Sequence, residues 1–183
     1  MTPGTIVLLH APYGAAASWG DLPEMLRSYG MDVIAPDVAD AAGPRYVARA
    51  SLIIAATAPT APLVLVGHGA AGPILPGIAV AQQAAHRKVG GYVFVDAELP
   101  RPFRPDAAHD HDHAHAHDHE GEPDERVVAG PADWPDAPCA YLATDLEERA
   151  QEIRQARLRG WPVAEHEPPI AVAQSLSELI TTL

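Results

Sequence analysis

The chain has 183 residues, of which 48% are hydrophobic, and a formal net charge of −12. That length fits one domain with a sizeable core and is short for two. Of the −12, Asp106, Asp110, Asp112, Asp118, Glu120, Glu122, Asp124 and Glu125 supply eight negative charges in a stretch without lysine or arginine, leaving an ordinary −4 elsewhere. No basic stripe exists to neutralise phosphates, so nucleic acid is excluded as an expected partner. Arginine outnumbers lysine eleven to one (Lys88 alone), which suggests a high-GC bacterial genome. The single Cys139 excludes an internal disulfide and points to a reducing cytoplasm. The N-terminus runs straight into Ile6-Val7-Leu8-Leu9 without the basic region of a signal peptide, and no later run reaches membrane-spanning length. The expectation is a cytoplasmic protein with no membrane partner.

Short apolar runs alternate with longer amphipathic stretches, the pattern of βαβ units around a parallel sheet. In chain order the expected strands are Thr5–Leu9, Asp32–Ala35, Leu63–Val66, Tyr92–Val95, Cys139–Ala143 and Pro162–Glu165. Leu63-Val64-Leu65-Val66 and Tyr92-Val93-Phe94-Val95 are apolar without alternation, as suits strands covered on both faces. The expected helices are Ser18–Tyr29 stopped by Gly30, Arg45–Ala58 stopped by Pro59, Gly72–Ala85, Leu146–Arg159 stopped by Gly160, and Ile170–Leu183. Pro73 and Pro76 fit the third helix only in its first turn. The fold class is α/β: one domain over 1–183, three layers α/β/α, with a parallel sheet of about six strands.

The stretch 100–135 breaks the pattern. Rich in proline, histidine and acid, it is expected to be mostly a disordered inserted loop, because it has too little apolar surface to offset its ordering entropy. Within it His109, His111, His113, His115, His117 and His119 alternate with Asp110, Asp112, Ala114, Ala116 and Asp118. Neutral imidazole ligates Zn, Ni and Cu, and alternate side chains of an extended segment lie roughly 6–7 Å apart on one side. The tract is thus either a divalent-metal ligand set or a solvated linker that binds metal incidentally.

Two segments carry a family likeness. One is Ile6-Val7-Leu8-Leu9-His10-Ala11-Pro12, then Trp19, then Asp32-Val33-Ile34-Ala35-Pro36-Asp37. The other is Leu65-Val66-Gly67-His68-Gly69-Ala70-Ala71-Gly72-Pro73. Together they resemble the opening strand, oxyanion loop and nucleophile elbow (G-x-S-x-G) of the α/β-hydrolase fold family. The resemblance implies a minimal α/β-hydrolase core, with the 100–135 insertion where relatives carry a helical cap. It also implies a serine nucleophile where this chain has Gly69, which offers no side chain and so no acyl-enzyme. The family's histidine follows the last strand; here Ala164-Glu165-His166-Glu167-Pro168-Pro169 leaves a shortened loop with His166 as the candidate. The acid would be Asp145 or Asp96, and helix capping explains both equally well. Backbone amides near Tyr13 and Ala70 would be the oxyanion donors, and His166 or His68 the acid or base.

Bland readings stand beside these. His68 is expected to pack against neighbouring strands more readily than to serve a pocket, and Tyr13 to face either pocket or solvent. His10 should hydrogen-bond its loop, Cys139 should be a small buried hydrophobe, and Trp19 and Trp161 should anchor packing. The leading functional expectation is a protein that binds or transforms a small acyl- or polyketide-like molecule without serine chemistry and with no cofactor required by the core. The alternatives are metal binding or buffering through the histidine tract, and a catalytically dead relative acting as an interaction module.

Overall fold

The computed structural model describes residues 4–100, 131–166 and 172–183. Six strands form one sheet: β1 (Thr5–Leu9), β2 (Asp32–Ile34), β3 (Leu63–His68), β4 (Val89–Val95), β5 (Cys139–Ala143) and β6 (Val163–Glu165). Their spatial order is β2-β1-β3-β4-β5-β6, and every neighbouring pair is parallel. The helices are α1 (Leu22–Ser28), α2 (Gly43–Ala56), α3 (Leu75–Ala84), α4 (Ala150–Leu158) and α5 (Val172–Thr182). This is the expected three-layer α/β/α sheet of six parallel strands.

Alternation along each strand builds two cores. Val7, Leu9, Leu63, Leu65, Tyr92 and Phe94 face α2, α3 and α4, where Tyr46, Ile54, Ile78 and Ile153 complete the cluster. Ile6, Leu8, Val64, Val66, Val93 and Val95 face α1 and α5, against Leu26, Leu176 and Ile180. Burying one such aliphatic side chain contributes about 1.5–3 kcal/mol, so the sheet gains from both faces at once.

Several boundaries differ from the sequence expectation, each for a local reason. The helix expected over Ser18–Tyr29 splits into a 3-10 turn, Ala16–Trp19, and α1, because Gly20 adopts φ +54° between them. The helix expected over Gly72–Ala85 likewise splits into a 3-10 turn, Gly69–Ile74, and α3. Pro73 sits in that turn and Pro76 at the start of α3, where a missing N–H costs no helical bond. Helix α4 begins at Ala150 rather than Leu146, since the intervening residues form a turn capped by Asp145. Strand β4 begins at Val89, earlier than Tyr92, and Gly91 lies so close to Leu183 that an added Cβ would meet its side chain at 2.8 Å. The reading of 100–135 as an inserted loop falls largely on 101–130, outside the described residues. At its described end Trp134 is not loose: it packs edge-on against Tyr92, Phe94 and Trp161.

Candidate functional site

Strand order reverses between β1 and β3. The connection leaving β1 runs to α1 on one face, and the connection leaving β3 runs to α3 on the other. In open parallel sheets such a reversal opens a crevice at the carboxyl ends of the strands, the usual place for ligands.

The loop after β1 is fixed by His10, which is fully buried. Its Nε2 accepts the Val38 amide at 2.9 Å, so Nδ1 carries the proton and donates to the Ala11 carbonyl at 2.8 Å. The Tyr46 hydroxyl donates to the His10 carbonyl at 2.6 Å, and burial pushes that phenol's pKa far above its ordinary value. With both ring nitrogens engaged, His10 is a structural pin. Tyr13 adopts φ +59° with its side chain exposed, and its amide donates to the Ala41 carbonyl at 3.4 Å. That bond turns this amide into the loop rather than toward an oxyanion.

Strand β3 ends in the sharp turn at Gly69, φ +56°, that feeds the 3-10 turn and α3. Among the described residues an added Cβ there would find one neighbour within 4 Å, the Ala11 methyl at 3.7 Å, so they leave the ground above Gly69 open toward the β1 loop. The Glu98 amide donates to the Gly69 carbonyl at 3.1 Å and ties the turn to the chain leaving β4. Gly72 makes the closest approach: a Cβ would lie 2.0 Å from the Glu98 carbonyl oxygen. Ala70 is in the first turn after Gly69, where amides precede the first i→i−3 bond and no side chain caps them.

One residue before the turn, His68 lines a cavity of about 290 Å³ between the ends of β3, β4 and β5 and the starts of α1 and α5. Trp19, Leu22, Met25, Val95, Val172 and Ala173 give it apolar walls; Ser18, Asp21, Asp96 and Thr144 are its other polar groups. The Trp19 ring meets His68 edge-on at 5.5 Å. Burial lowers the His68 pKa below its usual value, with Asp96 opposing and Arg149 adding to the shift, so the imidazole is neutral at neutral pH. His68 therefore both packs against Trp19 and lines the cavity.

The two candidate acids have separate structural work. Asp96, at φ +43°, accepts the Thr144 amide at 2.7 Å, the Asp145 amide at 3.3 Å and the Thr144 hydroxyl, closing the end of β5 onto β4. It still borders the cavity. Asp145 accepts the Glu148 amide at 2.9 Å as the cap of the turn before α4. His166 follows β6; its amide donates to Ala143 at 2.9 Å, and its Nε2 contacts the buried Ser175 hydroxyl of α5. His166 is thus drawn to α5 and stands outside the cavity lining. Structure brings together His68 and Asp96, and the sequence reading missed Ser18, Asp21 and Thr144, which carry no motif. Only Asp21, ahead of Leu22-Pro23-Glu24, left a signal, that of a helix start.

Cys139 is buried, and burial pushes its thiol up to about 12, so it is inert as expected. Trp161 stacks on Phe94 at 5.3 Å, and Trp19 is buried: both are packing anchors. No group of three or more His, Cys, Asp or Glu among the described residues could hold a metal ion. His109, His111, His113, His115, His117 and His119 lie outside the described residues. No helix among the described residues is long and apolar enough to cross a membrane.

No protein-family model and no curated protein sequence matches the chain. Solved structures do. An extracellular α/β-hydrolase from a Paenibacillus species, described as structurally and functionally homologous to tobacco salicylic acid binding protein 2, is 15% identical with a TM-score of 0.65, covering 98% of both chains. A pyrethroid hydrolase from Sphingobium faniae is 18% identical with a TM-score of 0.62, over 99% of this chain and 97% of that one. Tomato methylketone synthase I bound to 2-tridecanone is 16% identical with a TM-score of 0.61, over 100% and 98%. At these identities the likeness establishes the fold: a minimal α/β-hydrolase core.

Proposed function

We propose that this chain, with its α/β-hydrolase fold, binds a small organic molecule in the His68 cavity and carries out no serine-nucleophile chemistry. The observation behind the reading is the pairing of Gly69 and His68 at one strand end. The turn leaving β3 has the left-handed backbone of a nucleophile elbow but no side chain to attack with, while the adjacent cavity offers a neutral imidazole. Any reaction there would be proton transfer: His68 accepts a proton on one ring nitrogen, and Asp96 borders the same space as a fixed negative charge. The Ala70 amide is the donor that could face a developing oxyanion. His166, engaged by Ser175, has no elbow hydroxyl to activate. The ligand seen with a neighbour of this fold, 2-tridecanone in tomato methylketone synthase I, fits an organic ligand in general terms.

The test has two parts. The unmutated protein should take no fluorophosphonate label and hydrolyse p-nitrophenyl esters no faster than buffer. Short methyl ketones should bind saturably by titration calorimetry, and Ser18→Trp, which covers the cavity mouth, should weaken binding at least tenfold. Stoichiometric labelling of a serine near the elbow overturns the reading, as does binding indifferent to Ser18→Trp.

The six-histidine tract supports a second role on composition alone. Six imidazoles with interleaved carboxylates have affinity for zinc, nickel or copper(II), and that role is independent of the cavity.

A further inference from the structure

We infer that the His68 cavity selects a protonated amine with a short apolar body and rejects organic anions, a conclusion that rests on the cavity being the ligand site proposed above. Among the described residues its lining holds two carboxylates, Asp21 and Asp96, and no lysine or arginine. The nearest cation felt by His68, Arg149, lines a neighbouring cleft with Glu98, Glu152 and Arg159 instead. Asp96 has its oxygens occupied by Thr144 and Asp145, so its charge acts on a ligand at a distance.

Asp21 differs. It stands at the N-cap of α1 yet makes no capping bond with its side chain, and among the described residues its carboxylate has no hydrogen-bond or ion-pair partner. An exposed carboxylate at the rim with no protein partner is available to an incoming ammonium. Beyond it Trp19, Leu22, Met25 and Val95 form an apolar slot for the ligand's body. At neutral pH the imidazole of His68 adds no positive charge that would welcome a carboxylate. At about 290 Å³ the cavity lies at the small end for ligand pockets, which suits a body of a few carbons or one ring.

The experiment titrates the full-length protein at pH 8 with hexylamine, hexanol and hexanoate, three probes of one length and different charge, at low and high salt. Hexylamine should bind at least tenfold more tightly than hexanoate, with hexanol between. The gap should shrink severalfold in Asp21→Asn, whose helix loses no cap, and should shrink as salt rises. Hexanoate binding as tightly as hexylamine overturns the inference, and so does an Asp21→Asn protein with the same ranking as its parent. In either case binding still abolished by Ser18→Trp would leave the ligand-site reading intact. If none of the three probes binds, the amine inference falls, while saturable methyl-ketone binding that Ser18→Trp weakens would still uphold the ligand-site reading.

Discussion

Replacing Gly69 by alanine isolates the cost of the turn on which the functional reading rests. At φ +56° a residue with a Cβ is strained whatever the space around it, at about 1–2 kcal/mol. Sterics add almost nothing, because the nearest atom to an ideal Cβ is the Ala11 methyl at 3.7 Å, an ordinary contact. Gly20 is the internal control: φ +54° and nothing within 4 Å of its Cβ. Gly69→Ala should therefore lower Tm by about 2–8 °C in a domain of this size, and Gly20→Ala, whose ψ of −132° lies outside the left-handed well, should cost at least as much. Gly69→Asn should cost less, since asparagine tolerates the left-handed region. Gly72→Ala sets the other limit. Its Cβ would sit 2.0 Å from the Glu98 carbonyl oxygen, so the chain leaving β4 must move, at about 3 kcal/mol or more. Urea unfolding followed by circular dichroism, with calorimetric melts beside it, measures all four. A neutral Gly69→Ala would mean that the turn is not left-handed. A Gly69→Ala as damaging as Gly72→Ala would mean that the space above the elbow is filled, and the open ground assigned to it would be wrong.

Asp96→Ala removes an acceptor of three hydrogen bonds from the end of β5 and should destabilise by about 2 kcal/mol in urea unfolding; a change within 0.5 kcal/mol would refute that assignment. His68 has a folded-state pKa lowered first by burial, so as pH falls the unfolded chain takes up the proton before the folded one. Stability is then fully present above the unfolded value of about 6.5 and is lost as pH falls from there toward the folded pKa. His68→Gln should lose less stability than its parent between pH 7 and 5, and parallel losses would show that the imidazole is not held neutral. Calorimetric titration with zinc should give micromolar or tighter binding that disappears when 106–120 is deleted and weakens steeply below about pH 6, where imidazoles protonate. A deleted protein that binds zinc as well as the intact one would rule out the tract as the ligand.

The continuous apolar runs at Leu63–Val66 and Tyr92–Val95, with the alternation of strands and helices, by themselves determined a parallel sheet covered on both faces, because only burial from two sides tolerates such runs. Gly69 at the strand–helix turn was legible through the resemblance of Gly67-His68-Gly69-Ala70-Ala71 to a nucleophile elbow, where a strained turn suits glycine. Tertiary structure decided what depends on which elements meet. Gly91 belongs to β4 although glycine disfavours strands, and Leu183, ninety-two positions later, occupies the space that a side chain there would need. Trp134 leaves a proline-rich stretch to pack on Phe94 and Trp161. Which of the two histidines borders the cavity was not legible in one dimension: His166 was the candidate by its place after the last strand, and His68 was expected mainly to pack. Packing turned His68 into the cavity beside Trp19 and Asp96, and drew His166 to Ser175 on α5. Ser18, Asp21 and Thr144 come from three separate connections and form no pattern along the chain. They share a cavity because parallel strands bring their carboxyl ends, and the loops that follow them, to one edge of the sheet.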